Sequence, residues 1–459
     1  MSKYIADKKF YNNVLKISVP IMVQNGISNF VSLLDNIMIG RVGTEQMSGV
    51  SIVNQLIFVF YLCIFGAVSG AGILGAQYYG QKNYDGVKKV LRSKLIISFT
   101  AMIIAILIFI NLGSFLISLY LHDGSATGNL EATLSYGLEY LGVILIGLPF
   151  STIEFSYSST LRESGETSLP MKASIAAVFI NLVLNYLLIY GKFGFPAMGV
   201  VGAAIATNIA RFIQASIIVI YSHTHTGKYP FMKGMFRNFR IERSILGKTL
   251  GLSMPLIFNE TLWAAGMAAL TSCYSTRGLS VIAALNIQSV IYNIANIMFI
   301  AMGDAIAIIV GQMLGKNEIE EGKDAANKII VMSIFFAVIG GIFMFLISDI
   351  FPGIYKTSDE VKSIARTLII ISGCTMPIGA LLHSLYFAIR SGGKTLITVL
   401  FDSVYLWVIA FPTAYILSRY TDMPIAPLYL TLQLVDLIKV VIGLIIYRSG
   451  IWARNITQY

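Results

Sequence analysis

Two carboxylates lie inside apolar stretches of this chain, where a charged group is costly. Asp35 lies near the end of the stretch 14–40, Glu260 lies in a later stretch, and each follows a proline, Pro20 or Pro255. A carboxylate at the centre of a bilayer costs about 2.5–3.5 kcal/mol on insertion scales, and a proline bends a helix. This pattern favours bendable helices that carry a proton- or cation-binding group. The simpler interpretation is that Asp35 reaches water and Pro20 fills a tolerated kink.

A second set of polar side chains lies in the apolar region that follows. Asn181 and Asn185 are four residues apart and so share one helical face, and Thr207 comes after the turn 191–196. Beside a carboxylate, their oxygens would suit sodium, or their hydrogen bonds would tune a proton site. Polar groups of this kind also join helices to one another in membranes. The residue types alone leave both interpretations open.

The elements that position these residues are predicted to be membrane-spanning helices. The chain has 459 residues, of which 56% are hydrophobic and only 12% charged, whereas soluble domains have about 25% charged residues. An all-α polytopic membrane protein is therefore predicted, with about twelve runs long enough to span a bilayer. These runs lie near 14–39, 47–75, 95–121, 133–160, 171–190, 198–221, 246–275, 280–311, 329–349, 365–389, 395–418 and 425–447.

The distribution of basic residues predicts the orientation. Most of the 33 Lys and Arg residues fall in alternate loops and at the two ends, and such loops face the cytoplasm. Both termini are therefore expected in the cytoplasm of a cell whose plasma (inner) membrane the chain crosses many times. The net charge of +10 then faces anionic inner-leaflet lipid rather than nucleic acid.

The two halves of the chain repeat one another. At two nearly equal offsets, residues of the first half recur in the second, and both halves begin after an even number of spans, so the repeats are parallel. We therefore predict two pseudo-symmetric six-helix lobes, residues 1–222 and 245–459, joined by a cytoplasmic linker, 223–244. The matches are Ser18, Pro20, Gln77 and Gly80 with Ser253, Pro255, Gln312 and Gly315, and Pro149, Arg162, Gly165 and Thr167 with Pro377, Arg390, Gly393 and Thr395.

Other charged residues in the predicted spans give weaker signals. Asp436 and Lys439 are three residues apart on one helix, which predicts that they neutralise each other. Asp402 has no obvious local partner, and Arg211 lies toward the cytoplasmic end of its span. The chain contains no HExxH or GxSxG pattern, so enzyme chemistry, metal-dependent or nucleophilic, is not expected.

Four motifs resemble the multidrug and toxic compound extrusion (MATE) family, and the resemblance runs nearly end to end. That family exports organic cations and drugs in exchange for sodium or protons, and it has twelve spans in two six-helix lobes. The resemblance therefore implies a transporter of the same kind, with Na⁺ or H⁺ as the coupling ion and no cofactor. The motifs are N-x-x-L-N-x-x-L-I at 181–189, G-V-x-G-A-A-I-A-T at 199–207, L-R-x-x-G-x-T at 161–167 and V-x-L-L-D-x-I-M-I-G at 31–40.

The resemblance also implies which residues hold the ion. The family's cation site in the first lobe matches Asp35, Asn181 and Thr207, while one archaeal-type pattern has a second aspartate where this chain has Asn185. Sodium and protons both remain possible, since one carboxylate with neutral oxygens suffices for either. A second branch uses a glutamate that matches Glu260.

In that second branch an aspartate of the tenth helix completes the site. The corresponding position is Gly379 in this chain, with His383 one helical turn away. This half-site therefore lacks its aspartate, and Glu260 is expected to take part in proton or substrate coupling.

The expected function is thus a secondary antiporter that exports amphipathic, often cationic compounds and acts as a monomer on small organic substrates. Pro20 and Pro255 are expected to let their helices bend during the cycle. One rival is a lipid-linked oligosaccharide flippase of the wider superfamily, which usually has fourteen spans and several cavity arginines. Another is a membrane receptor or intramembrane enzyme, which would need a catalytic constellation.

Overall fold

The computed structural model describes residues 6–121, 129–237 and 242–458, and the regular secondary structure in these ranges is helical. Fourteen α-helices are found there and are numbered in chain order. They are α1 (Lys8–Gly40), α2 (Thr44–Gly80), α3 (Tyr84–Ser118), α4 (Leu130–Glu163), α5 (Ser168–Tyr190), α6 (Gly199–Thr224), α7 (Arg243–Ser275), α8 (Leu279–Ala295), α9 (Ile297–Gly315), α10 (Ile319–Ile347), α11 (Asp359–Ser391), α12 (Thr395–Val399), α13 (Phe411–Tyr420) and α14 (Ile425–Arg448).

The helices have the lengths and composition of membrane spans. Among the described residues, ten helical segments are long and apolar enough to cross a bilayer. Helices α1 and α7, which carry Asp35 and Glu260, are 33 residues long but lie outside that set. Helix α8 is a shorter apolar helix directly before α9. The prediction of an all-α polytopic membrane protein is confirmed, and about twelve spans agree with these helices.

Two predicted runs have a different internal structure from the single helix expected. The run 280–311 consists of α8 and α9, which are divided at Asn296. The run 395–418 contains two π-helical segments, Leu400–Val404 and Leu406–Ala410, between α12 and α13. The apolar composition of a run does not reveal such features, because a π-turn changes which backbone groups are hydrogen-bonded and not the residue types.

The sequence repeat corresponds to repeated local structure. Pro20 and Pro255 lie inside α1 and α7, and a second matched pair of prolines lies inside α4 and α11. Gly165 and Gly393, which are also matched, have φ values of +82° and +80°. Residues other than glycine rarely adopt this backbone conformation, so Gly165 and Gly393 allow the tight turns that follow α4 and α11.

The chain forms two compact units. We call residues 23–75 and 83–257 the amino-terminal unit, and residues 1–22, 76–82 and 258–459 the carboxyl-terminal unit. The chain of α1 passes from one unit to the other two residues after Pro20, and that of α7 does so two residues after Pro255. The lobe boundaries at 222 and 245 stay predictions.

Each unit has its own apolar core. In the amino-terminal unit, α3, α4, α5 and α6 pack in neighbouring pairs, with Val53, Ile64 and Leu148 in the core. In the carboxyl-terminal unit, α11 packs against α8, α9, α10 and α14, with Leu368 and Leu428 in one apolar cluster. These packed helices form the scaffold from which the polar groups of each unit project.

Candidate functional site

The four residues predicted to hold the coupling ion form one hydrogen-bonded network in the amino-terminal unit. The Asn185 amide Nδ2 donates to Asp35 Oδ1 at 2.6 Å and to Asn181 Oδ1 at 3.1 Å. The Asn181 Nδ2 donates in turn to Thr207 Oγ1 at 3.3 Å. The structure thus brings together α1, α5 and α6 through these side chains, and the two asparagines share one face of α5, as their four-residue spacing predicts.

One oxygen of this network has no hydrogen-bond partner. Asn185 is only 1% exposed, and its Oδ1 atom is buried without a hydrogen bond. An unsatisfied buried carbonyl is costly, and carboxylate and amide oxygens are ligands that hard cations accept. In the part of the chain that the structure describes, no group of three His, Cys, Asp or Glu residues is placed to hold a metal. A cation bound here would therefore combine one carboxylate with neutral oxygens.

Arg211 is a neighbour of this network that the sequence analysis did not assign to it. It lies one helical turn after Thr207 on α6, and its guanidinium is near enough to attract the Asp35 carboxylate. Its Nη1 donates to Gln214 Oε1 at 3.1 Å, and Gln214 Nε2 donates to Glu154 at 3.2 Å. The four-residue spacing between Thr207 and Arg211, which places both on one helical face, could have indicated this from the sequence. Thr207, Arg211 and Gln214 thus form a polar stripe on α6 that ends at a second buried carboxylate.

Helix α5, which carries both asparagines, is fixed at each end. At its start, Glu166 Oε1 accepts hydrogen bonds from the backbone N–H groups of Ser168 and Leu169 at 3.1 and 3.2 Å. At its end, the Tyr190 hydroxyl donates to the Met38 carbonyl of α1 at 2.8 Å. The asparagines therefore have a defined position relative to Asp35.

The Glu166 carboxylate also contacts the segment that follows α6. Lys228 donates to its Oε2 atom, as does the Tyr229 hydroxyl at 3.2 Å. Burial acts to raise the pKa of Glu166, but the hydrogen bonds from Lys228, Leu169 and Tyr229 outweigh it and hold the pKa below its usual value.

Glu260 lies in the carboxyl-terminal unit, in a network separate from Asp35. The Tyr386 hydroxyl donates to Glu260 Oε1 at 3.2 Å. The Asn259 Nδ2 donates both to that hydroxyl, at 3.3 Å, and to Asp402 Oδ2, at 3.0 Å. The Arg390 guanidinium lies 5.3 Å from the Tyr386 ring centre. Glu260 thus belongs to a set of two carboxylates and nearby basic groups, which sequence reasoning missed because its members come from α7, α11 and the π-helical region.

The predicted pairing of Lys439 with Asp436 is wrong, because the carboxylate in direct contact with Lys439 is a different one. The Lys439 Nζ forms an ion pair with Asp402 Oδ1 at 2.7 Å, and Asp436 interacts with Lys439 at longer range. Spacing along one helix favoured the local pair, but packing of α14 against the π-helical segment provides a closer carboxylate. Asp402 therefore has a partner that its own sequence neighbourhood did not indicate.

The half-site that the resemblance places on the family's tenth helix lies on α11 of this structure. It contains a histidine in an apolar setting. The His383 ring lies 4.7 Å from that of Phe387 and 5.9 Å from that of Phe299, measured between centroids. A Cβ at Gly303 would lie 2.6 Å from its Nε2 atom. Gly379, which occupies the aspartate's place, faces the Tyr292 hydroxyl. His383 is therefore packed among aromatic rings rather than directed at Glu260 by a hydrogen bond.

Comparison with known proteins agrees with the repeat. A model of the MatE family matches residues 20–187 and 255–416, two ranges that begin at the matched prolines. "Probable multidrug resistance protein YoeA" of Bacillus subtilis is 25% identical over 411 residues, which cover 89% of this chain and 87% of that protein. "Probable multidrug resistance protein NorM" of Thermotoga maritima is 25% identical over 444 residues, which cover 96% and 93%. A crystal structure of the Vibrio cholerae MATE transporter VcmN aligns with a TM-score of 0.86 and 16% identity over 97% of this chain and 98% of that one, which supports the fold.

Proposed function

Because the chain belongs to the MatE family of multidrug efflux transporters, and is a transporter rather than an enzyme, we propose that it is a secondary antiporter. It exports amphipathic, cationic compounds in exchange for Na⁺ or H⁺. The observation that carries this proposal is the network of Asp35, Asn181, Asn185 and Thr207, in which one buried amide oxygen lacks a hydrogen bond. It offers an ion a carboxylate and neutral oxygens on three different helices.

The antiport mechanism follows from differential affinity. A bound ion favours the conformation in which oxygens of α1, α5 and α6 converge on it, and the exported compound favours another. Each ligand shifts the population only by its difference in affinity between the two conformations. Coupling energies of about 1–3 kcal/mol are typical. The protein changes from one conformation to the other by bending α1 at Pro20 and α7 at Pro255. The chain of each helix leaves one compact unit and enters the other two residues after its proline.

Glu260 has a complementary role in this proposal. It is a buried carboxylate in the carboxyl-terminal unit, hydrogen-bonded to Tyr386 and attracted by Arg390. It takes part in proton or substrate coupling there, apart from the Asp35 network. Loss of its charge should therefore impair export without removing ion binding at Asp35.

The orientation and the oligomeric state belong to the proposal as well. Both termini face the cytoplasm of a cell whose plasma membrane the protein crosses, because this orientation places most of the basic loops in the cytoplasm. The protein acts as a monomer. A membrane-impermeant thiol reagent applied to cysteines introduced at residues 8 and 458 tests the first point, and light scattering of the purified protein tests the second.

The proposal is tested by export from proteoliposomes under separately imposed sodium and proton gradients. The wild-type protein is expected to export a cationic dye when at least one gradient is present. Asp35→Asn keeps the shape of the side chain and removes its charge, so export should no longer respond to either gradient. Asp359→Asn is the matched control, because this carboxylate is fully exposed at the start of α11. Wild-type rate and stoichiometry in Asp35→Asn would overturn the proposal and direct the search to Glu260.

A further inference from the structure

The π-helical segment Leu400–Val404 directs a carboxylate toward α14. Asp402 lies in this segment, and its Oδ1 atom forms an ion pair with the Lys439 Nζ at 2.7 Å. Single turns of π-helix occur frequently at functional sites. A lysine in a membrane span is costly and rare, and it marks a functional position more often than a purely structural one. The surroundings of this ion pair are therefore informative.

The Lys439 ammonium lies between one carboxylate and two aromatic rings. Its Nζ is 5.2 Å from the Phe401 ring centre and 5.6 Å from the Tyr405 ring centre. Ring faces within about 6 Å attract a cation, and combinations of this kind recognise organic ammonium ligands. A carboxylate adds a charge-assisted hydrogen bond. Asp402, Phe401 and Tyr405 thus provide the groups that an ammonium-binding site needs.

The walls of this site are held by groups other than Lys439. The Asn259 Nδ2 fixes Asp402 Oδ2 at 3.0 Å, and Asn259 is held in turn by the Ser403 hydroxyl, which donates to its Oδ1 at 2.7 Å. The Tyr405 hydroxyl donates to the Val435 carbonyl at 2.7 Å. The carboxylate and at least one ring therefore keep their places when the lysine leaves.

Comparison with another buried ion pair separates this site from a structural bridge. Lys94 and Glu163 also form a close pair, but the lysine side chain is 0% exposed and is enclosed by the hydroxyls of Ser159 and Thr160. Lys439 and Asp402 are 15% and 18% exposed. The Lys439 side chain is thus partly exposed, whereas the Lys94 side chain is fully enclosed.

We propose that Asp402, Phe401 and Tyr405 form a binding site for the ammonium group of an exported alkylamine or related organic cation. The Lys439 ammonium occupies this site when no such cation is bound. The arriving cation takes the place of Nζ, and the flexible lysine side chain moves aside. This inference rests on the proposed function, since an exported cation is the ligand that would use the site. It identifies the charged part of the substrate as an ammonium group.

The test uses Lys439→Ala, which removes the atoms from Cγ to Nζ and so leaves room for propylammonium. Purified Lys439→Ala is expected to bind propylammonium at least tenfold more tightly than the wild-type protein does, measured as a concentration-dependent rise in thermal stability. Neutral 1-propanol, which has nearly the same shape, should show no such gain. The double variant Lys439→Ala/Asp402→Asn should lose it. Lys323→Ala, which opens the exposed pair with Glu320, is the matched control and should show no gain.

A second variant keeps the test decisive if Lys439→Ala does not fold. Lys439→Met retains most of the length of the side chain and removes its charge, so the affinity for a cationic substrate should rise at least fivefold while that for a neutral substrate stays the same. Equal binding of propylammonium and propanol by Lys439→Ala, or unchanged cation affinity in Lys439→Met, would overturn the inference.

These measurements distinguish the inference from the proposed function. Binding to purified protein needs no ion gradient, so propylammonium should also stabilise Lys439→Ala/Asp35→Asn. If Asp35→Asn retains coupled export while Lys439→Ala binds propylammonium, the coupling proposal is wrong and the ammonium site stands. If Asp35→Asn is uncoupled and Lys439→Ala gains no binding, only the ammonium site is wrong.

Discussion

Replacing Asn185 with leucine removes the amide that joins the candidate ion site while keeping a similar side-chain volume. The amide nitrogen holds Asp35 at 2.6 Å and Asn181 at 3.1 Å, and its oxygen is buried without a hydrogen bond. A hydrogen bond to a charged group contributes about 1.5–3 kcal/mol, and one between neutral groups contributes about 1 kcal/mol. Leucine therefore removes both the contact that orients the carboxylate and a neutral oxygen ligand.

The expected magnitude depends on which ion is bound. For sodium, losing about 1.5–3 kcal/mol raises the half-saturating concentration by roughly 10- to 150-fold. A proton needs a carboxylate but no further oxygens, so proton-driven export should stay within roughly threefold, which corresponds to less than about 1 kcal/mol. Thr207→Val removes one neutral hydrogen bond and should raise the sodium requirement by only roughly fivefold.

The assay is dye export from proteoliposomes that contain equal amounts of folded Asn185→Leu, Thr207→Val or wild-type protein. Sodium is varied at fixed pH in one series, and the pH gradient is varied without sodium in the other. An unchanged sodium requirement in Asn185→Leu would refute the role of its oxygen. Loss of proton-driven export from the folded variant would refute the view that a proton needs only the carboxylate.

Three further variants test other parts of the protein. Glu260→Gln should lower export by roughly tenfold or more, equivalent to about 1.4 kcal/mol, and wild-type export at matched expression would leave Glu260 a structural role. Pro20→Ala restores a helix hydrogen bond in α1, so export should slow while ion binding to purified protein is unchanged; an equal loss of both contradicts this role. Glu166 has a pKa held below its usual value of 4.5, so its bond to Lys228 stabilises the fold fully above pH 4.5 and is lost as the pH falls through the lower, folded-state pKa. Hydrogen-exchange protection of residues 228–232 should fall in that range in the wild-type protein but not in Glu166→Gln, and an identical pH response would refute the assignment.

Local spacing predicted the features that depend on one helix or on a repeat. Asn181 and Asn185 lie four residues apart, so their shared face follows from helix geometry, and the hydrogen bond between them in the structure agrees with it. The proline pair Pro20 and Pro255 falls inside α1 and α7 as the repeat requires. Long apolar runs were sufficient to predict spanning helices, because a bilayer imposes length and composition on them.

Contacts between distant helices were beyond the reach of spacing rules. Lys439 has Asp436 three residues away on its own helix, yet its direct ion pair is with Asp402. That choice depends on how α14 packs against a π-helical segment, which changes the direction of side chains without changing composition. The approach of Arg211 to Asp35 likewise depends on the packing of α6 against α1.

Ion movement driven by the exported compound alone tests antiport through Asp35 without any imposed ion gradient. Proteoliposomes are given a gradient of a cationic substrate, and the opposite movement of radiolabelled sodium or of protons is recorded. The wild-type protein and Asp359→Asn should move one of these ions against the direction of the substrate, and Asp35→Asn should move neither. Ion movement by Asp35→Asn at the wild-type rate would contradict the assignment of the coupling site to this carboxylate.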